Sequence, residues 1–128
     1  MAHDGLGSAG VMWERERRLG LNEAVFREVN ERISDINNVF ESEMPREWKM
    51  RPLDLVCECG DPGCAERISM SAADYERVRA DALQFAIVPG HADASVEVVV
   101  AHEKTYDLVR KRPGDAAVLA EETDPRER

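Results

Sequence analysis

Cations are in short supply in this chain. Its 17 Lys and Arg face 26 acidic residues, a net charge of -9 over 128 positions. Phosphate binding is driven by displaced counterions and needs a cationic surplus, so no direct nucleic-acid contact is expected. The same deficit argues against docking on an anionic membrane. No apolar run approaches the roughly 20 residues that a bilayer span requires. The opening stretch, MAHDGLGSAG, has neither the apolar core nor the charged leader of a signal peptide. A cytoplasmic location is expected by default. Aromatics are sparse as well, with two Trp, two Tyr and three Phe. The core must therefore be built mainly from Val, Ile, Leu and Ala. Neither H-E-x-x-H nor the H-x-E…P-C-x-x-C arrangement of zinc deaminases occurs, and no Gly-rich loop follows a strand. The expectation is that the protein is not an enzyme. Only three cysteines are present, an odd number and poor material for a disulfide framework in a reducing compartment.

What is there reads as an α+β fold in a single domain. Residues 1–21 are Gly-rich at the start and are expected to be a flexible N-terminal segment, with Gly20 as a break. A long helix is expected over 22–43, where Phe26, Val29, Ile33, Ile36 and Phe40 repeat at 3-4-3-4 spacing. That seam is read as the inward face, and Arg27, Glu31, Arg32, Asp35 and Asn38 as a solvated one. Two prolines bound a linker over 45–52 that contains Trp48. Residues 53–58 read as a strand, 68–70 as its returning partner, and Ser71 as the cap of a short helix whose inward face holds Tyr75 and Val78. A buried strand over 85–88 stops at Pro89-Gly90. An antiparallel hairpin is expected from 96–101 and 105–111, because four valines in five residues favour strand over helix. Arg110-Lys111-Arg112 is read as a solvated strand end. The metal-stabilised α+β domain would then cover 22–112, and 113–128 would be an acidic, flexible tail.

The strongest chemical signal is Cys57-Glu58-Cys59-Gly60-Asp61-Pro62-Gly63-Cys64. On extended backbone, residues two apart project to one side, so Cys57 and Cys59 point together. The Gly-Asp-Pro-Gly bend returns Cys64 towards them, and its glycines permit the positive φ angles that such a knuckle needs. Three thiolates on one short turn suit a soft, tetrahedral ion, above all Zn2+. The fourth position is assigned to His91, which follows Pro89-Gly90. His102, water, Asp61, Glu58 and a ligand from another chain are the alternatives, with His3 placed in the flexible N-terminal stretch. An iron–sulfur cluster ranks below zinc because it usually takes four cysteines.

The segments VCECGDPGCAERI, SAADYERVRA, FAIVPGH and VFREVNERI together resemble a set of small uncharacterised actinobacterial proteins. The shared features are the C-x-C-x4-C knuckle, the Asp74-Tyr75…Val78-Arg79 helix and the Val88-Pro89-Gly90-His91 strand end. The resemblance implies this arrangement of elements and adds nothing about chemistry. Three functions follow from the residues. The first is a zinc-binding regulatory or adaptor module that works by protein–protein interaction or self-association through the 22–43 helix. The second is a thiol redox switch at the cysteines. The third is a metal-dependent hydrolase with an open zinc position and Glu58 or Asp61 as general base.

Overall fold

A computed structural model of the chain describes the backbone of residues 2–41, 43, 45 and 51–127, and the side chains of 14–39, 43, 45 and 51–126. The elements, in order, are α1 (Ala2–Glu41), β1 (Leu53–Val56), β2 (Arg67–Met70), α2 (Ala72–Arg79), β3 (Gln84–Ile87), β4 (Glu97–His102), β5 (Asp107–Lys111) and α3 (Asp115–Glu122), followed by a 3-10 turn at Pro125–Glu127. The architecture is α+β: one long helix, two small antiparallel sheets and short helices. No helix among the described residues is long and apolar enough to cross a membrane.

The hairpin and the sheet follow from period-two alternation. β1 pairs with β2 so that Leu53 lies opposite Met70 and Leu55 opposite Ile68. These four side chains are buried, whereas Asp54 and Ser69 face water. The second sheet has the order β3-β5-β4, with a bulge in β4 between Val99 and Ala101. β3 lies between two apolar clusters and feeds both. Ala86 joins Leu53, Leu55, Ile68, Met70, Tyr75, Val78 and Tyr106, while Phe85 and Ile87 join Cys57, Cys59, Val109 and Ala120. Ser71 caps α2 as expected, its hydroxyl accepting the Asp74 amide at 3.0 Å.

Helix α1 departs from the expectation in extent and in orientation. The segment 1–21, read as flexible, is helical from Ala2 onward, and Gly20 lies inside the helix. A β-carbon at Gly20 would sit 2.9 Å from Leu119 Cδ1, so this glycine serves close approach to α3 and does not break the helix. The predicted inward seam is not the buried face. Ile33 packs on the core and Phe26 is half-buried, but Val29 and Ile36 face water together with Val25 (60% exposed) and Val39 (70%). Phe40 and Trp48 lie outside the described side chains. The buried face carries Glu23, Arg27, Asn30, Glu31 and Ser34. Its polar groups are matched by partners far along the chain. The Arg27 guanidinium donates to the carbonyls of Ala82 (2.7 Å) and Ala120 (2.6 Å) and lies 4.7 Å from the Phe85 ring centroid. Glu31 receives Arg79 Nε at 2.5 Å and Arg126 Nε at 2.8 Å.

The tail is corrected too. Residues 115–122 form α3, whose buried Ala116, Ala117 and Ala120 are small enough for α1 to lie close. Asp124 is buried against Arg79. Lys111, read as part of a solvated strand end, is fully buried and donates to both Glu23 and Glu97.

That buried triad makes stability depend on pH. Burial pushes the Glu23 carboxyl up to about 8 against the pull of Lys111, from an ordinary value near 4.5. Glu23 Oε1 is buried and has no hydrogen-bond partner among the described residues. Between these two values the folded chain keeps a proton that the unfolded chain has released. This group's contribution is therefore complete below about pH 4.5 and is lost as pH rises to about 8. Chemical denaturation of Glu23→Gln beside the parent should show the parent losing stability relative to the variant from pH 5 to 8, by at most about 1.4 kcal/mol per pH unit. Parallel profiles would refute the assignment.

Candidate metal centre

β1 carries the chain straight into the cysteines. The Cys57 amide donates to the Glu66 carbonyl at 3.0 Å, extending the hairpin ladder one step. Gly60 follows with φ at 81°. A β-carbon there would lie 2.6 Å from Leu19 Cδ1 and 2.8 Å from Glu23 Cγ, so only glycine permits both the turn and the approach of α1. The next bend is closed twice. The Cys64 amide donates to the Asp61 carbonyl at 3.0 Å, and the Gly63 amide donates to Asp61 Oδ1 at 2.8 Å. Cys64 is thereby returned towards Cys57 and Cys59.

His91 arrives on a second turn. Proline at position two and glycine at position three, with Gly90 φ at 91°, make Val88–His91 a type II turn. The His91 amide closes it on the Val88 carbonyl at 3.0 Å. Asp107 of β5 holds the turn down by accepting the Gly90 amide at 3.1 Å. The Val88 amide donates to Cys57 Sγ at 3.1 Å, joining the turn directly to the knuckle.

The four side chains converge. Ligand atoms of Cys57, Cys59, Cys64 and His91 all lie within 4.8 Å of one another. His91 Nδ1 is 3.7 Å from Cys57 Sγ and 3.7 Å from Cys64 Sγ. A tetrahedral ion with metal–sulfur bonds of ~2.3 Å and a metal–nitrogen bond of ~2.0 Å sets ligand atoms about 3.5–3.8 Å apart, so the residues fit a bound metal ion. All three cysteines are free thiols. Burial pushes the Cys57 and Cys59 thiols up, so without a cation they hold their protons. A dication at the shared focus favours the thiolates, which couples metal uptake to proton release.

The alternatives fall elsewhere. His102 is exposed and pairs through Nδ1 with Asp107 Oδ1 at 2.8 Å. The His3 side chain lies outside the described residues. Asp61 Oδ1 is engaged by the Gly63 amide. Glu58, considered as ligand or general base, points away from the cysteines and is fully buried. Its carboxylate receives Asn30 Nδ2 of α1 at 2.7 Å and the Ala86 amide of β3 at 3.0 Å. Asn30 also bonds both the amide and the carbonyl of Val56 at 2.8 Å, and Asn22 Nδ2 donates to the Gly60 carbonyl at 3.0 Å. The knuckle is thus seated on α1 through side-chain amides. One contributor was not anticipated: the Glu66 carboxylate lies 2.9 Å from His91 Nε2. No local pattern marks it, because the two residues meet only when the hairpin and the Pro-Gly turn are brought together. An open cleft of 640 Å³ runs past Cys59 and His91, walled on the other side by Arg15, Arg18 and Asn22 of α1. Compared with protein-family models, with curated proteins and with solved structures, the chain matches none of them.

Proposed function

We propose that this protein is a small zinc-binding regulatory or adaptor module that acts through protein–protein interaction, with the metal in a structural role. The observation that carries the reading is the convergence of three sulfurs and one imidazole nitrogen within 4.8 Å, from two turns far apart in the chain. A sulfur-rich set of four protein donors suits zinc in a closed site and leaves no coordination position for a substrate water. With Glu58 turned into the α1 contact, the hydrolase reading loses one of its two proposed bases, and one oxygen of the other, Asp61, already accepts the Gly63 amide. Three free thiols suit a reducing, cytoplasmic setting.

The interaction surface of this reading is the outward side of α1. Val25, Val29, Ile36 and Val39 leave a water-facing apolar stripe at heptad-like spacing, interrupted by Arg32. The partner is another protein or a second copy of the chain. Deleting the helix is no test, because Arg27, Asn30 and Glu31 would be lost from the interior with it. A photo-crosslinking residue at Val29 is the better probe. The Val25→Ser/Ile36→Ser pair should keep its metal and its melting midpoint within a few degrees, since exposed substitutions cost about 0.5 kcal/mol or less each. It should also lose the crosslinked product that the parent forms. Persistence of that product in the double variant would remove α1 from the reading.

A second reading, a thiol redox switch, is favoured by the open cleft beside Cys59 and by the half-buried Cys64. In it, peroxide oxidises one thiolate to a sulfenic acid with release of hydroxide, a neighbouring thiolate displaces hydroxide from that sulfur to form a disulfide, and the ion leaves.

A further inference from the structure

We infer that the metal ion is taken by Nδ1 of His91, and that Glu66 is the positioning residue that holds the ring in this orientation. The inference rests on the metal-binding reading above. An imidazole offers two nitrogens, and the hydrogen bond made by one decides which of them is free to ligate. In this ring the two are well separated in role. Nδ1 faces the sulfurs, 3.7 Å from both Cys57 and Cys64. Nε2 points to the opposite side, where Glu66 Oε2 lies at 2.9 Å. A carboxylate is only an acceptor, so Glu66 at this distance favours the tautomer with the proton on Nε2 and the lone pair on Nδ1.

The backbone explains why the nearer nitrogen is used. The turn from Val88 to His91 is tied to the knuckle by the Val88 amide on Cys57 Sγ, which brings the His91 main chain close to the sulfurs. At that range the ring presents the nitrogen nearer its own Cβ, and Nε2 projects away towards Glu66. Glu66 is placed to meet it. Its carbonyl accepts the Cys57 amide, so one residue fixes the first cysteine through its main chain and the histidine through its side chain. The adjacent cation does not compete, because Arg67 is engaged by Asp54 across the hairpin.

The Glu66 side chain is 60% exposed, so as a plain ion pair it would add little to folding. Its effect falls on the ligand. A hydrogen-bonded carboxylate makes the imidazole a better donor and removes the freedom to flip, and losing such a partner typically weakens metal binding by about 10–100-fold.

The test uses the full chain and zinc alone. Long-range nitrogen–proton NMR on the loaded protein should show His91 metallated at Nδ1 and protonated at Nε2. Competition against a chromogenic chelator should give Glu66→Ala a zinc affinity about 10–100-fold below the parent. Glu66→Gln, whose amide oxygen can accept the same hydrogen bond, should recover most of that loss. Metallation at Nε2, or a Glu66→Ala affinity within twofold of the parent, would overturn the inference while leaving the metal site standing. A parent chain that takes up no zinc would overturn the metal reading itself, which is a separate and distinguishable result.

Discussion

Replacing Cys59 with serine is expected to abolish metal retention and to lower the thermal midpoint by on the order of 15 °C. An ion that binds only the folded chain stabilises it by mass action, about 4 kcal/mol when its free concentration is a thousand times the dissociation constant. For a chain of this length about 1 kcal/mol moves the midpoint by some 3–5 °C, interpolating between the values for smaller and larger domains. The loss is partial because the cluster around Leu55, Tyr75 and Val78 does not touch the ion and persists without it. Elemental analysis should find one metal per chain in the parent and none in the variant. Hydrogen exchange should accelerate first at 57–64 and 88–91, the two turns that the ion would join. Chelation of the parent should reproduce the variant, and peroxide should do so as well under the redox reading; zinc that stays bound through peroxide treatment sinks that reading. If the purified parent holds no metal and Cys59→Ser melts with it, the three sulfurs are core residues and nothing more.

The second large effect is expected at Arg79. Its side chain is fully buried and bridges Glu31 of α1 and Asp124 beyond α3, at 2.5 Å from the former. Both carboxylates are buried. Arg79→Ala leaves two interior carboxylates without this cation; the Arg126 guanidinium reaches Glu31 and Glu76, and among the described residues Asp124 keeps only the hydrogen bond from the Arg126 backbone amide. Breaking a buried pair from one side costs about 3–5 kcal/mol, because an uncompensated charge remains. The exposed pair Arg67–Asp54 is the internal control, where Arg67→Ala should cost about 1 kcal/mol or less. Urea denaturation separates the two: a shifted midpoint with an unchanged slope for Arg79→Ala, and almost no shift for Arg67→Ala. Equal effects would mean that the interior network contributes no more than a surface pair.

The hairpin, the α2 cap, the β4–β5 pair and the cysteine-bearing bend were legible because their signals are local. Leu53-Asp54-Leu55 alternates, Ser71 stands where a cap belongs, and Pro89-Gly90 states its own turn type. The burial of α1 was not legible, and the reason is physical. Its apolar and polar residues both recur at helical spacing, so periodicity identifies a helix without saying which side faces inwards. The rule that apolar faces are buried fails here because Glu23, Arg27 and Glu31 find buried partners in Lys111, Ala120 and Arg79, at separations no window can span. Gly20 misled for the same reason, since the neighbour that requires a glycine is Leu119. In α3 the signal was present but outweighed: Ala116, Ala117 and Ala120 share one helical face, and the acidic composition of the tail hid it.

Glu58 was legible in principle. If Cys57 and Cys59 face one way on extended backbone, the residue between them must face the other. One three-residue stretch therefore presents sulfur to the candidate metal centre on its front and a carboxylate to Asn30 and Ala86 on its back. The two sides cannot move independently. A peptide twist that spreads the sulfurs also draws the carboxylate from beneath the long helix, so emptying the site would be felt along that helix as well as at the bend.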